Sequence, residues 1–245
     1  MEILAACHVH SVWSYDGKWP LASLVVRFEA RGYRVLMMTE HDRGFNPRRH
    51  AEYRAACRQA SSSDTLVVPG IEYSDKNNRV HILVWGEVPF LGEGLPTGDL
   101  LDAVRRWNGG AVLAHPSRKN AWDCFEPRWM DQLLGIELWN RKYDGWAPSK
   151  TAPALLEVGN AIPFVGLDFH SWRQSFPLGM VLDIDGEVTE RSVLDCLRSR
   201  RCYGSAFRLP VDSQWFRQAL PALTVAERGR RTAASIVRHS RTLTR

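Results

Sequence analysis

The sequence has no apolar run near the ~20 residues needed to cross a bilayer, which excludes a helical membrane protein. Its start, Met1-Glu2-Ile3-Leu4-Ala5-Ala6-Cys7, has no basic stretch and no long apolar core. No secretory signal is therefore expected, and a cytoplasmic location is. Cysteine is sparse: Cys7, Cys57, Cys124, Cys196 and Cys202 are odd in number, scattered, and form no Cys-x-x-Cys pair. That argues for reduced thiols in a cytoplasm, and against a disulfide framework or a thiolate zinc site. No segment repeats with a period of about 20 to 50 residues, so a solenoid is not expected.

Charge of one sign is missing from most of the chain. The net charge of +5 comes from the end, where eight arginines (208, 217, 228, 230, 231, 238, 241, 245) face only Asp212 and Glu227. Residues 1–207 are close to neutral and do not form a basic nucleic-acid-binding domain. The expected organisation is one domain over 1–207 and a basic extension over 208–245, solvated or partly disordered. Such a tail can touch nucleic acid, a partner the sequence does not favour. No membrane partner is expected, and oligomeric state is not legible.

What is present is an alternation of short apolar strands with helical stretches. Strands are expected at Ile3–Cys7, Val35–Met38, Leu66–Val68, Val80–Trp85, Gly110–Ala114, Ile136–Trp139, Phe164–Leu167 and Met180–Leu182. Helices are expected from Pro20 towards Gly32 and over 47–60, Asp99–Trp107, 151–158 and Glu190–Arg200. Asp75-Lys76-Asn77-Asn78 is turn chemistry, so the strand after it returns antiparallel. The rest reads as parallel strands joined by helices, a barrel or a doubly wound sheet.

Histidine decides between them. His8 and His10 lie one residue apart on a strand and so point the same way. His41, Glu72, His115, Asp168 and His170 stand at the ends of later strands, His81 within the returning one, and Asp16 in a polar turn. A barrel brings strand ends to one rim, where such groups converge. Six of the eight histidines belong to this set; only His50 and His239 do not. Imidazole and carboxylate without thiolate suit Zn²⁺, Mn²⁺ or Fe²⁺. Nine candidate ligands (His8, His10, Asp16, His41, Glu72, His81, His115, Asp168, His170) exceed one coordination sphere, so two or three divalent ions are expected, with Glu72 able to bridge.

Four motifs, His8-Val9-His10-Ser11, Thr39-Glu40-His41-Asp42, His115-Pro116 and Gly166-Leu167-Asp168-Phe169-His170, resemble those of the polymerase-and-histidinol-phosphatase (PHP) family. Glu72 and His81 fall at its intervening ligand positions, and the resemblance covers about residues 3 to 205. It implies a distorted (βα)7 barrel, a trinuclear metal centre and phosphoester hydrolysis by a metal-activated water. Two departures stand out. The His10–Asp16 segment is one residue longer than the commonest family spacing, and the domain that nucleotide-processing members insert between the middle motifs is missing.

The expected substrate is a small phosphomonoester or a nucleotide. Glu72, Asp168 and His170 are the expected catalytic residues, with Asp42 a further candidate for proton handling. Arg141, Lys142 and Arg173 follow strand ends and are the candidates for gripping phosphate. Trp13, Trp139, Trp146 and Trp172 can stack on a base or fill the core, and core use is the expectation. Glu40 and Ser11 are candidates for orienting ligand imidazoles. Two other readings compete. One is an amidohydrolase cleaving a C–N bond, against which stands the lack of a lysine placed for carbamylation, Lys76 being in a turn. The other is a non-catalytic module that binds partners through its basic tail.

Overall fold

The structure, a computed structural model, describes residues 1–148 and 161–243, with side chains as far as 235. The helix expected near 151–158 lies outside the described residues. Strand β1 (Glu2–Val9) is followed by helix α1 (Leu21–Glu29), whose Leu21, Leu24, Val25 and Phe28 recur at helical spacing and are buried. Each contributes roughly 1.5–3 kcal/mol relative to exposure. Next come β2 (Tyr33–Met38), β3 (Glu40–His41) and α2 (Pro47–Ala60). The Asn46 side chain caps α2 by accepting from the Arg49 N–H, which satisfies one of the donors left free in a first turn.

Strands β4 (Leu66–Val68), β5 (Gly70–Ser74) and β6 (His81–Trp85) precede α3 (Thr97–Arg106) and β7 (Gly110–Leu113). Two 3-10 turns, not an α-helix, lead from there to β8 (Gly135–Asn140). Then follow β9 (Ile162–Gly166), β10 (Leu178–Asp183), α4 (Glu190–Arg198), β11 (Cys202–Ala206) and β12 (Leu209–Pro210). The final helix is α5 (Gln214–Leu243). Among the described residues no helix is long and apolar enough to cross a membrane.

The strands form two six-stranded sheets, ordered β12-β11-β10-β1-β2-β4 and β3-β5-β6-β7-β8-β9. Of the expected distorted (βα)7 barrel, the mixed α/β character is present, while no closed ladder runs round the described strands. Two causes are visible. Only residues 75–80 join β5 to β6, too few for a crossover, so β5–β6 and β6–β7 pair antiparallel. At one seam Pro69, between β4 and β5, has no N–H to give a continuous ladder. At the other seam β1 meets the chain leaving β9: Leu167 N–H donates to Cys7 O, Phe169 N–H to His8 O, and His10 N–H to Phe169 O.

The apolar core runs through both sheets, with Trp85, Trp139, Tyr53 and Phe164 its largest fully buried side chains. Helix α5 departs from the solvated extension expected at 208–245. Phe216 is buried with its ring 5.7 Å from that of Trp139, and Leu220 and Leu223 pack on the same core.

Candidate metal centre

The site is built where parallel strands end and antiparallel β6 begins, so His81 reaches the same end as the others. Between Cys7 and Val9 the β1–β2 register slips, which makes His8 the extra residue of a bulge. His8 has φ +59°, His115 +26° and Asp168 +47°. Non-glycine residues seldom adopt this region, and strain of this kind gathers at functional sites.

Glu72 is the hub. Its Oε1 lies 2.6 Å from His81 Nδ1 and 2.9 Å from His115 Nε2. Its Oε2 lies 3.0 Å from His41 Nδ1 and 3.5 Å from both His8 Nε2 and His10 Nε2. Asp168 Oδ1 stands 3.8 Å from His8, 3.7 Å from His10 and 3.2 Å from His170. Asp16, in the turn after β1, bridges His41 and His170 at 3.3 and 3.1 Å. The longer His10–Asp16 spacing is thus absorbed by the turn. All nine expected residues come together, although His81 meets the others through Glu72; its Nε2 faces Asn78 Oδ1 at 2.6 Å.

The donor set fits cations. Three overlapping groups, His8/Glu72/His115, His8/His10/Asp168 and His10/His41/His170, each hold ligand atoms within 4.8 Å of one another. Two donors about 2.1 Å from one ion stand roughly 3.0–3.4 Å apart, close to the spacings above. His8 Nε2, His10 Nε2, Glu72 Oε2, His115 Nδ1 and Asp16 Oδ1 are buried without a hydrogen bond among the described residues. Unsatisfied buried polar atoms are costly.

The local field is negative and favours cations. Burial would lower the pKa of His41 and His170, but the carboxylate of Asp16, joined by Glu72 for His41 and Asp168 for His170, holds them up at about 10 and about 9. Glu72 and Asp168 are buried, yet the imidazoles, and Lys142 for Asp168, keep them well below the usual carboxylate range. His10 is pushed well down by burial and by His170 and His41, which leaves its nitrogen neutral, as a ligand must be.

Behind this set stands Glu137, which strand reasoning passed over. Its Oε1 lies 2.8 Å from His8 Nδ1, and its Oε2 accepts from His115 N–H at 2.7 Å and Asn140 Nδ2 at 2.8 Å. Glu40 acts one step further back than expected. It accepts from the Ser11 and Ser14 hydroxyls, and Ser14 Oγ lies 3.2 Å from His10 Nδ1. A carboxylate within the apolar run Ile136–Trp139 was the available sign of Glu137.

A cavity of about 410 Å³ opens over the cluster, lined by Tyr15, Asp42, Arg43, Arg118, Lys142 and Tyr143 besides the ligands. Burial pushes Asp42 up to about 6. Lys142 Nζ lies 3.2 Å from Asp168 Oδ1. Arg141 and Arg173 do not line the cavity, contrary to expectation: Arg141 turns the other way, stacks 5.2 Å over Phe176 and donates to Arg173 O, and the Arg173 side chain is exposed. Arg118, unflagged in the sequence, takes their place beside His81 Nε2 at 3.2 Å. The tryptophans are packing residues. Trp139 is fully buried, Trp13 lies on Tyr53, Trp172 on Phe169, and Trp146 under Arg230.

Fold and donor set together define an α/β domain with a buried cluster of imidazoles and carboxylates suited to divalent cations. Among solved structures the chain is similar to a two-domain Bacteroides vulgatus protein containing a predicted PHP-like metal-dependent phosphoesterase (TM-score 0.63, 17% identity, 84% of this chain and 65% of that one). It is also similar to PsfC from Pseudomonas syringae (0.62, 13%, 95% and 99%). A third is the lesion-specific endonuclease PfuEndoQ from Pyrococcus furiosus (0.59, 13%, 84% and 59%). The chain thus spans less than two thirds of the first and third. No family model and no curated protein matches the sequence. The likeness is one of fold.

Proposed function

We propose that this chain is a metal-dependent phosphoesterase acting on a small phosphomonoester or a nucleotide. The observation that carries this is the convergence of six imidazoles and three carboxylates under a cavity edged by Lys142 and Arg118. His8, Glu72, His115, His10, Asp168, His41, His170 and Asp16 would hold two or three divalent ions, with His81 supporting Glu72. His8 and His10 turn Nδ1 to Glu137 and Ser14 and keep only Nε2 for the cluster, so each would serve one ion, while Glu72 has two oxygens to offer. Bound ions supply Lewis acidity towards phosphoryl oxygen and lower the pKa of water.

The chain's own groups bind and orient. Lys142 is half-buried, and desolvation would lower its pKa, but the Asp168 carboxylate raises it, so the ammonium stays charged and can grip a phosphoryl oxygen. Arg118 can hold a second oxygen or the leaving group. Asp42 lines the cavity and can carry a proton there. Carbamylation needs a neutral amine, so a charged Lys142 weighs against the amidohydrolase reading.

The test is phosphate release by Mn²⁺- or Zn²⁺-loaded protein across phosphomonoesters, nucleotides and oligonucleotides, beside His115→Ala and Asp168→Ala. Release lost in both variants supports the reading. A folded, metallated protein that releases nothing from any of them sinks it.

A further inference from the structure

The turn after β8, residues 141–147, carries two cavity residues and is held from outside by the final helix. Lys142 faces Asp168 at 3.2 Å and lies within 3.4 Å of both His170 ring nitrogens. The Tyr143 ring stands edge-on 4.8 Å from that of His115, and its hydroxyl accepts from Arg118 Nε. Inside the turn, Asn140 Oδ1 accepts from the N–H groups of Lys142 and Tyr143. Asp144 accepts from Asn140 N–H and from the Ser117 hydroxyl.

The outer polar groups of the turn go to α5. Arg231 Nη2 donates to Tyr143 O at 3.0 Å and Asp144 O at 2.8 Å. Trp146 N–H donates to Glu227 Oε2 at 3.1 Å. Glu227 is 6% exposed, and Arg230 and Arg231 both donate to it. Gly145 has φ +85°, and a Cβ there would collide with the Glu227 carboxylate, so the backbone and this side chain are fitted at contact. Two carbonyls and one N–H that a surface turn would give to water are bonded to side chains from 81 to 88 residues away.

We infer that α5 belongs to the site: Glu227 and Arg231 are positioning residues that hold Lys142 and Tyr143 over the cavity. A loop pinned at three backbone atoms loses few conformations on meeting substrate, whereas a loop released from them samples orientations in which Lys142 leaves Asp168. This rests on the phosphoesterase reading for its catalytic consequence, but not for its structural one.

The experiment uses the full chain, metal-loaded, as wild type, Arg231→Ala, Arg231→Lys and Arg228→Ala. Arg228 is on the same helix and is exposed, so its removal matches the charge change alone. Amide hydrogen exchange of the 141–147 peptide and steady-state phosphate release are read together. Arg231→Ala is expected to speed exchange there about tenfold and to raise KM roughly fivefold or more with kcat within about twofold. Arg231→Lys should fall between, and Arg228→Ala should match wild type.

Unchanged exchange in folded Arg231→Ala or Arg231→Lys overturns the clamp, and so does the same KM change in Arg228→Ala. Faster exchange with unchanged KM and kcat overturns the positioning role. If wild type releases no phosphate, the function reading falls, and the clamp is judged on exchange and on the affinity of the metal-loaded protein for inorganic phosphate.

Discussion

Oε1 of Glu137 lies 2.8 Å from Nδ1 of His8, and neither side chain has any solvent exposure. The contact fixes which His8 nitrogen faces the ligand cluster. The other Glu137 oxygen does the same for the His115 backbone. Glu137→Gln keeps one acceptor oxygen for the His115 N–H and Asn140 Nδ2 donors and turns its N–H₂ to His8 Nδ1, which must then accept, moving the His8 proton to the nitrogen that faces the cluster. Metal affinity should fall by about 10- to 100-fold, as read by equilibrium dialysis with Mn²⁺ or Zn²⁺. An unchanged affinity would remove Glu137 from the metal-orienting shell.

The neighbours Arg141 and Lys142 should separate by function. Lys142→Ala is expected to raise KM at least about tenfold. Arg141→Ala should lower the melting temperature through lost packing on Phe176 and leave KM alone, because the guanidinium does not reach the cavity. Arg173→Ala should change neither. Thermal melts and phosphate-release kinetics on the three variants decide the matter, and a KM effect for Arg173 would contradict the assignment.

Ions that bind the folded cluster and not the unfolded chain must stabilise the fold. At about a hundredfold excess over Kd the gain is about 2.7 kcal/mol, or roughly 5–10 °C in Tm for a chain of this size. Scanning calorimetry with Mn²⁺ against chelator should show it in wild type and much less of it in Glu72→Gln. Equal melting temperatures with and without metal would count against the site.

His50 offers a pH test away from the cluster. Burial, then the Arg54 charge, lowers its pKa to about 4, while the unfolded chain titrates near 6.5. Between those values the unfolded state binds more protons, so stability falls as pH drops from about 6.5 towards 4. His50→Gln should reduce the loss between pH 7 and pH 5 by about 1 kcal/mol, solvent screening allowed for. Urea unfolding of both proteins at both pH values measures the difference. A loss equal in the two would mean that His50 is protonated in the folded state.

The convergence of these side chains was legible because histidine is sparse away from the strand ends, so a shared rim followed from the alternation of strands and helices. What failed lay beyond strand ends. Side-chain direction has no period in a turn, so Arg141 and Lys142 could not be told apart before the Asn140 and Asp144 hydrogen bonds fixed the backbone. The antiparallel return after Asp75-Lys76-Asn77-Asn78 was legible as turn chemistry, whereas the break in the ladder at Pro69 was not, because a single proline in a loop does not say which strands it separates. Arginine count alone cast the tail as solvated. Yet Glu227 stands three and four residues before Arg230 and Arg231, helical spacing for an ion-paired face, and Phe216 gave the apolar anchor.

Strand β1 lies inside its sheet, between β2 and β10, and pairs with both. It also precedes every other strand in the chain. During synthesis its β2 side can be satisfied early, while the side that pairs Ile3 with Leu182 stays open until β10 has been made. A nascent chain halted before residue 168 carries His8 and His10 without Asp168 or His170, beside an unpaired apolar strand edge of the kind that aggregates. Copies cut short there would therefore lack part of the buried cluster and be prone to self-association, which ties quality control of the chain to completion of its site.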